Sequence, residues 1–130
     1  MHEMGLLHKI VMSVRTAATE NNVSHIEAIE LDIGELSGIL PVFLRFYFEP
    51  FTRNDPLFHG TELVINSIPG TGFCTKCQKT HPITNFGLPC PHCGSMDVGI
   101  ASGREVIIRN ILVKTGEGAE EEEDHKYAGD

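Results

Sequence analysis

Basic charge is scarce in this chain of 130 residues: 10 Lys and Arg stand against 18 Asp and Glu, a formal charge of −8. A protein of that sign repels phosphate backbones. The only basic residues near its most distinctive motif are Lys76, Lys79 and Arg104, too few for appreciable counterion release, so nucleic acid is not an expected partner. Long apolar runs are missing as well, and nothing approaches the roughly 18 residues of a membrane span. The opening Met1-His2-Glu3-Met4 carries an acid where a secretory signal carries base, and Leu6-Leu7 is cut at once by His8-Lys9. A cytoplasmic protein without a membrane segment is expected. No nucleophile elbow, phosphate-binding loop or recognisable pair of catalytic carboxylates occurs, which argues against an enzyme.

Cysteine is absent from all but one stretch of twenty residues, where Cys74-x2-Cys77 and Cys90-x2-Cys93 are separated by twelve residues. Two such knuckles are the ligand arithmetic of one tetrahedral Zn²⁺ site, each folding its backbone back so that two sulfurs face one ion. Gly94 follows the second knuckle, where a sharp turn favours positive φ, whereas Gln78 holds the same place after the first. Pro89 and Pro91 restrict the second knuckle before metal arrives. Two disulfides or a dithiol redox pair are the plainer alternatives, but no thioredoxin-like βαβ pattern surrounds either knuckle. Iron in a rubredoxin-like centre uses similar ligands. A closed four-thiolate site leaves no coordination position open for chemistry, so its expected role is structural. Four thiolates and one Zn²⁺ would bring the chain to about −10.

The remaining pattern is that of a small α/β domain. Met4, Leu7, Val11, Val14 and Ala18 recur at helical spacing, with Ile10 and Ala17 beside them, predicting a helix over about 4–21 that ends at Asn21-Asn22. Ile29, Leu31 and Ile33 alternate with Glu30 and Asp32 as a half-wet strand that stops at Gly34. Pro41 opens a second helix, in which Leu40, Phe43, Leu44, Tyr47 and Phe51 repeat at helical spacing. Five of the seven phenylalanines lie between residues 43 and 58, so this helix is expected to pack its aromatics into the core. Leu63 to Ile65 reads as a strand. Val106 to Val113 reads as another, with a bulge at Arg109-Asn110. The cysteine window sits between these two strands as an insertion, bounded by Pro69-Gly70-Thr71-Gly72 and Ala101-Ser102-Gly103, which read as glycine hinges. The expected domains are therefore 1–69 with 104–115, then 70–103. Residues 116–130, with four glutamates and an aspartate in a row, are expected to be a disordered acidic tail.

At the amino terminus, the α-amine, the His2 backbone nitrogen, the His2 imidazole and the Glu3 backbone nitrogen can wrap one square-planar ion, a geometry that selects Ni²⁺ or Cu²⁺ over Zn²⁺. The alternative is that His2 and Glu3 simply begin a helix, with Glu3 near the positive end of its dipole. Met1-His2-Glu3-Met4, Ile33-Gly34-Glu35-Leu36-Ser37-Gly38, Arg45-Phe46-Tyr47-Phe48-Glu49, Pro69-Gly70 and the two knuckles occur in the order that resembles the HypA/HybF family of hydrogenase nickel-insertion accessory proteins. The likeness covers about residues 1–113 and leaves the tail outside. It implies a nickel metallochaperone with a nickel domain of two helices on a three-stranded sheet and an inserted zinc-ribbon-like domain. By the same resemblance, Met1, His2 and Glu3 start the Ni(II) site, and Cys74, Cys77, Cys90 and Cys93 hold structural Zn(II). The implied partners are a HypB-type GTPase and the large subunit of NiFe hydrogenase, with urease maturation proteins served by some relatives. Gly5 departs from the serine of many relatives, and His81 and His92 near the cysteines match no fixed pattern.

Overall fold

The computed structural model describes residues 3–83, 87–115, 120–123 and 127–128, with backbone only from Lys114 onward. Helix α1 spans Glu3–Glu20 and buries Leu6, Leu7, Ile10, Val11, Val14, Ala17 and Ala18, the stripe that the spacing predicts, apart from Met4, which stays exposed. Its end is held by Asn21, whose backbone N–H and side-chain amide both donate to the Ala17 carbonyl at 3.2 and 2.8 Å. Asn22 then adopts a left-handed φ of 56°, the terminator that asparagine tolerates best after glycine.

Strand β1 runs Val23–Gly34, six residues earlier than the alternation of Ile29, Leu31 and Ile33 suggests. Register shifts at Val23/His25 and Ile26/Ala28 break the period of two over that first half, so a pattern search finds only the regular second half. After β1 comes α2, Pro41–Thr52, with proline in its first turn. A short 3-10 turn, Pro56–Phe58, leads to β2, Glu62–Ile68. β2 lies parallel to β1 from Ala28↔Glu62 to Gly34↔Ile68. Parallel neighbours need a crossover, and α2 supplies it. Strand β6, Val106–Thr115, pairs antiparallel on the other side of β1. Glu30 faces Asn110 and Leu31 faces Ile108, so Arg109 is the extra residue of a bulge, at the place the sequence marked.

The helices cover one face of this sheet around Leu6, Val14, Ile26, Ile29, Leu31, Leu44 and Ile108. The aromatic cluster departs from expectation. α2 buries Leu44, Phe48 and Thr52, while Phe43, Tyr47 and Phe51 remain about 40% exposed and Phe46 reaches 70%. Stripes 44/48/52 and 43/47/51 are both helical, and composition does not choose between them. The choice falls on the stripe in which Phe48 meets Phe58 edge-on at 6.1 Å and the Thr52 hydroxyl donates to the Phe48 carbonyl at 2.8 Å.

On the opposite face the sheet carries a polar network. Asp32, 2% exposed, accepts from Arg109 Nε at 2.6 Å and also from its Nη2. Asn66 donates to Asp32 at 3.0 Å and to Glu30 at 2.7 Å, and Asn110 donates to Glu30 at 2.7 Å. Arg109 first, then Asn66, hold the Asp32 carboxyl below its ordinary range against the opposing effect of burial. Asn66 and Asn110 do the same for Glu30.

A second, three-stranded sheet has the order β4-β3-β5, from β3 (Thr71–Cys74), β4 (Thr80–Pro82) and β5 (Val98–Ser102). It lies wholly between β2 and β6 in sequence. The bounding glycines are not loose hinges. A Cβ on Gly34 would fall 2.0 Å from the Gly103 carbonyl oxygen, and one on Gly103, at φ +106°, would fall 2.6 Å from Gly70 Cα. Only hydrogen fits where three backbones meet. Around them, the Gly34 N–H donates to Glu105 O at 2.7 Å, Leu36 N–H to Gly103 O at 2.7 Å, and Gly70 N–H to the Glu35 carboxylate at 3.0 Å.

The acidic tail also differs in part from expectation. Glu120–Glu123 and Tyr127–Ala128 form short strands, β7 and β8, antiparallel to β6. The far edge of β6 presents a row of backbone donors and acceptors, and a ladder on that edge needs no apolar side chain. The rest of the tail lies outside the described residues. Among the described residues no helix is long and apolar enough to cross a membrane.

Candidate metal centre

Both knuckles are built the same way. In the first, Gln78 N–H donates to Cys74 O at 2.7 Å and Cys74 N–H to Lys79 O at 3.0 Å; in the second, Gly94 N–H donates to Cys90 O at 2.8 Å and Cys90 N–H to Ser95 O at 2.8 Å. Each turn closes on a left-handed residue, Gln78 at φ 62° and Gly94 at φ 77°. Gln78 thus takes the conformation that glycine takes at no steric cost. β3 delivers Cys74 at its last position, while Cys90 lies beyond β4 and brings the second knuckle face to face with the first.

The result is a cluster in which all four sulfurs lie within 4.8 Å of one another. Cys74 and Cys93 are 3.6 Å apart, Cys77 and Cys90 3.8 Å. A tetrahedron with Zn–S bonds of about 2.3 Å has edges of about 3.8 Å, so the spacing fits a tetrathiolate around one Zn²⁺-sized cation. Disulfides need sulfurs about 2.05 Å apart, and all four cysteines are free. Iron coordinated by four thiolates has a similar edge, so the spacing alone does not separate the two metals.

Protonation shows why the cluster needs a cation. The Cys74 thiol is lowered to about 7 by the backbone N–H of Cys77, assisted by that of Lys76. Burial pushes Cys77 up to about 11, with the neighbouring sulfurs adding to it. For Cys93 the Ser95 N–H works downward, yet the sulfur of Cys74 and burial together leave it raised. Cys74 ionises readily, whereas Cys77 and Cys93 resist sharing so small a space as anions. A divalent ion at the centre removes that resistance. His81, buried beside the cluster, has no partner for Nδ1, and its ring lies 6.3 Å from that of His92. The four sulfurs already complete a tetrahedron without either histidine.

At the other end of the chain, Met1 and His2 lie outside the described residues. Glu3 is the first residue of α1, and its carboxylate accepts a long hydrogen bond, 3.4 Å, from the backbone N–H of Leu40. Leu40 is the N-cap of α2 and brings no side-chain cap of its own, so an anion from α1 faces the positive end of α2. Nothing in the spacing of residues 3 and 40 announces this contact; it follows from the parallel course of the two helices.

A family profile described as hydrogenase/urease nickel incorporation, metallochaperone, hypA matches residues 1–113. Among curated relatives, the hydrogenase maturation factor HypA of Geobacter metallireducens is 38% identical over 114 residues, covering 88% of this chain and 100% of the relative. That of Chlorobaculum parvum is 37% identical over the same length, with the same coverage. In fold, the chain is similar to the solution structure of the Ni metallochaperone HypA from Helicobacter pylori, with a TM-score of 0.62 at 23% identity over 85% of this chain and 96% of that one. Two helices on a mixed sheet, a second sheet closed by four cysteines and the match through residue 113 agree with one another, and the chain belongs to the HypA family of nickel-incorporation metallochaperones, which are not enzymes.

Proposed function

We propose that this chain carries Ni²⁺ at its amino terminus for insertion into the large subunit of NiFe hydrogenase, while Zn²⁺ stays in the four-cysteine site as a part of the fold. Residues 1–69 with 104–115 then form the nickel domain and 70–103 the zinc domain. The observation that carries this reading is the closed sulfur tetrahedron. Four thiolates within 4.8 Å of one another offer one cation a complete donor set, and a cargo ion must be given up to a recipient, so the two roles need two sites.

The second site is assigned to Met1, His2 and Glu3. Glu3 contributes its backbone nitrogen, while its carboxylate accepts from the Leu40 N–H. Nitrogen donors in a plane favour Ni²⁺ over Zn²⁺. A HypB-type GTPase and the hydrogenase large subunit are the expected partners, with urease maturation proteins as further ones, all in the cytoplasm. The experiment is nickel titration of the untagged protein, wild type against His2→Ala, with zinc content measured in parallel. Loss of one nickel equivalent and of its near-ultraviolet absorption, at unchanged zinc content, is expected for the variant. Nickel binding that survives His2→Ala would remove the assignment.

A further inference from the structure

The second sheet arranges its apolar side chains around a hollow. Among the described residues from 70 to 103, every Leu, Ile, Val and Met, namely Ile83, Leu88, Met96, Val98 and Ile100, lines one cavity of about 400 Å³. Its floor is β3. Gly72 stands there between His81 of β4 and Ile100 of β5, and a Cβ on it would fall 2.3 Å from Ile83 Cδ1 and 2.9 Å from Val98 Cγ1. Both side chains therefore lie down on bare backbone and leave the space above them open. One wall is formed by Pro89 and Pro91, on either side of the buried Cys90. Two proline rings held at a sulfur cluster cannot turn inward to fill the hollow.

The chemistry of the cavity has two parts. Leu88 and Met96, 58% and 66% exposed, give it an apolar rim. A ligand small enough to vanish inside leaves that rim in water, whereas a polypeptide crossing the mouth covers it. Arg104, just beyond Gly103, also lines the cavity, and no carboxylate stands among the described residues of the lining. Arg104 already interacts within the chain, but a guanidinium carries five N–H donors and can hold a carboxylate besides. Cysteines aside, residues 70–104 set Lys76, Lys79 and Arg104 against Asp97 alone, in a chain of formal charge −8. An acidic ligand is repelled least here.

We propose that this cavity is the docking site for a segment of a partner protein that inserts one Leu- or Phe-sized side chain against Ile83, Val98 and Ile100 and sets an acidic residue, within about two positions of that anchor, on Arg104. The anchor supplies affinity, and the guanidinium fixes the direction in which the segment crosses the rim. The metal cluster has a mechanical part: it holds Pro89 and Pro91 where the wall must stand. The site is built from residues 81–104 alone and holds whether or not the amino terminus carries nickel.

The peptide acetyl-Gly-Phe-Glu-Gly-amide, titrated into the untagged, zinc-loaded, isotope-labelled chain, tests this through amide resonance shifts. Shifts are expected at Ile83, Val98, Gly99 and Ile100 and not in α1 or α2. Replacing the peptide's Glu by Gln should weaken binding about 10-fold, through loss of one charge-assisted hydrogen bond, and replacing its Phe by Ala about 10-fold or more. Arg104→Gln should erase the preference for Glu over Gln and keep that for Phe over Ala. Met96→Glu, which puts a carboxylate on the exposed rim, should weaken the Glu peptide about 10-fold. Circular dichroism and zinc content are expected to be unchanged in both variants. Equal affinity for the Glu and Gln peptides, a preference that survives Arg104→Gln, or shifts that bypass those four amides would overturn the proposal. So would 3-phenylpropionate binding as tightly as the peptide, which would give the cavity to a small carboxylate.

Discussion

The two sheets are closed by different chemistries. The first buries Leu, Ile, Val and Phe side chains from α1, α2 and three strands in one contiguous core. In the second, the buried residues among those described from 70 to 103 are Gly70, Gly72, Cys74, His81, Cys90 and Gly103, with no aliphatic side chain among them. One region is held by the removal of apolar surface from water; the other sets four sulfurs where one cation would tie them together. Small folds with little apolar surface to bury need such a staple, and it follows that the two regions answer to different perturbations.

The largest expected effect comes from taking the metal away. Structural zinc contributes about 10–16 kcal/mol to the folding of small zinc modules at pH 7. Chelation, or Cys90→Ser, should therefore unfold the second sheet while the first stays folded. Amide exchange checks this: protection over residues 71–102 should vanish and protection in β1 and β6 persist. Loss of protection throughout would show that the apolar core depends on the metal after all.

An intermediate effect is expected from the opposite face of the first sheet. Arg109→Ala leaves Asp32 buried without its cation, and since the guanidinium is partly in water the cost should be about 2 kcal/mol, below the usual 3–5 for a fully buried pair. Denaturant titration of the zinc-loaded protein measures it. The pH dependence has a definite sign. Folded-state carboxyls lowered below their unfolded values, Asp32 and Glu30, add stability that is present at neutral pH and is lost as pH falls from about 4 through the folded values. Acid releases the cation by protonating the cysteine sulfurs and weakens the first sheet by protonating Asp32 and Glu30, so the two losses should follow separate midpoints on acidification. Simultaneous loss of both on an acid titration would contradict the separation.

The smallest effect sharpens the contrast between the knuckles. Gln78 holds φ 62° where Gly94 holds 77°. A left-handed conformation costs an L-residue about 1–2 kcal/mol, part of which glycine returns as chain entropy. Gln78→Gly should thus tighten metal binding by a few fold. A competition titration against a chromogenic chelator reads that change, and weaker binding would mean that the glutamine side chain contributes something the backbone does not require.

How legible the molecule was depended on how local the determining contacts are. α1, the two knuckles and the bulge at Arg109 follow from spacing within a few residues, and each was evident before any coordinates. The first half of β1 was hidden because its bulges erase alternation. The buried face of α2 was hidden because two equally helical stripes compete, and the winner is fixed by Phe58 from beyond the helix. Arg109 and Asp32 meet across 77 positions, and Glu3 meets Leu40 across 37; neither sequence neighbourhood hints at the other. Glycines 70 and 103 looked like joints because flexibility and close approach call for the same residue.

Those glycines have one more consequence. Because residues 70 and 103 touch, the chain leaves the first sheet and comes back at a single doorway, and the parent sheet meets the whole intervening stretch as if it were a short loop. A graft there lengthens nothing that the parent must close, which is the circumstance in which foreign modules are accepted. Residues 71–102 should therefore tolerate exchange for another unit whose ends meet equally closely, provided that Gly70 and Gly103 keep their contacts with Gly34, Glu35 and Leu36.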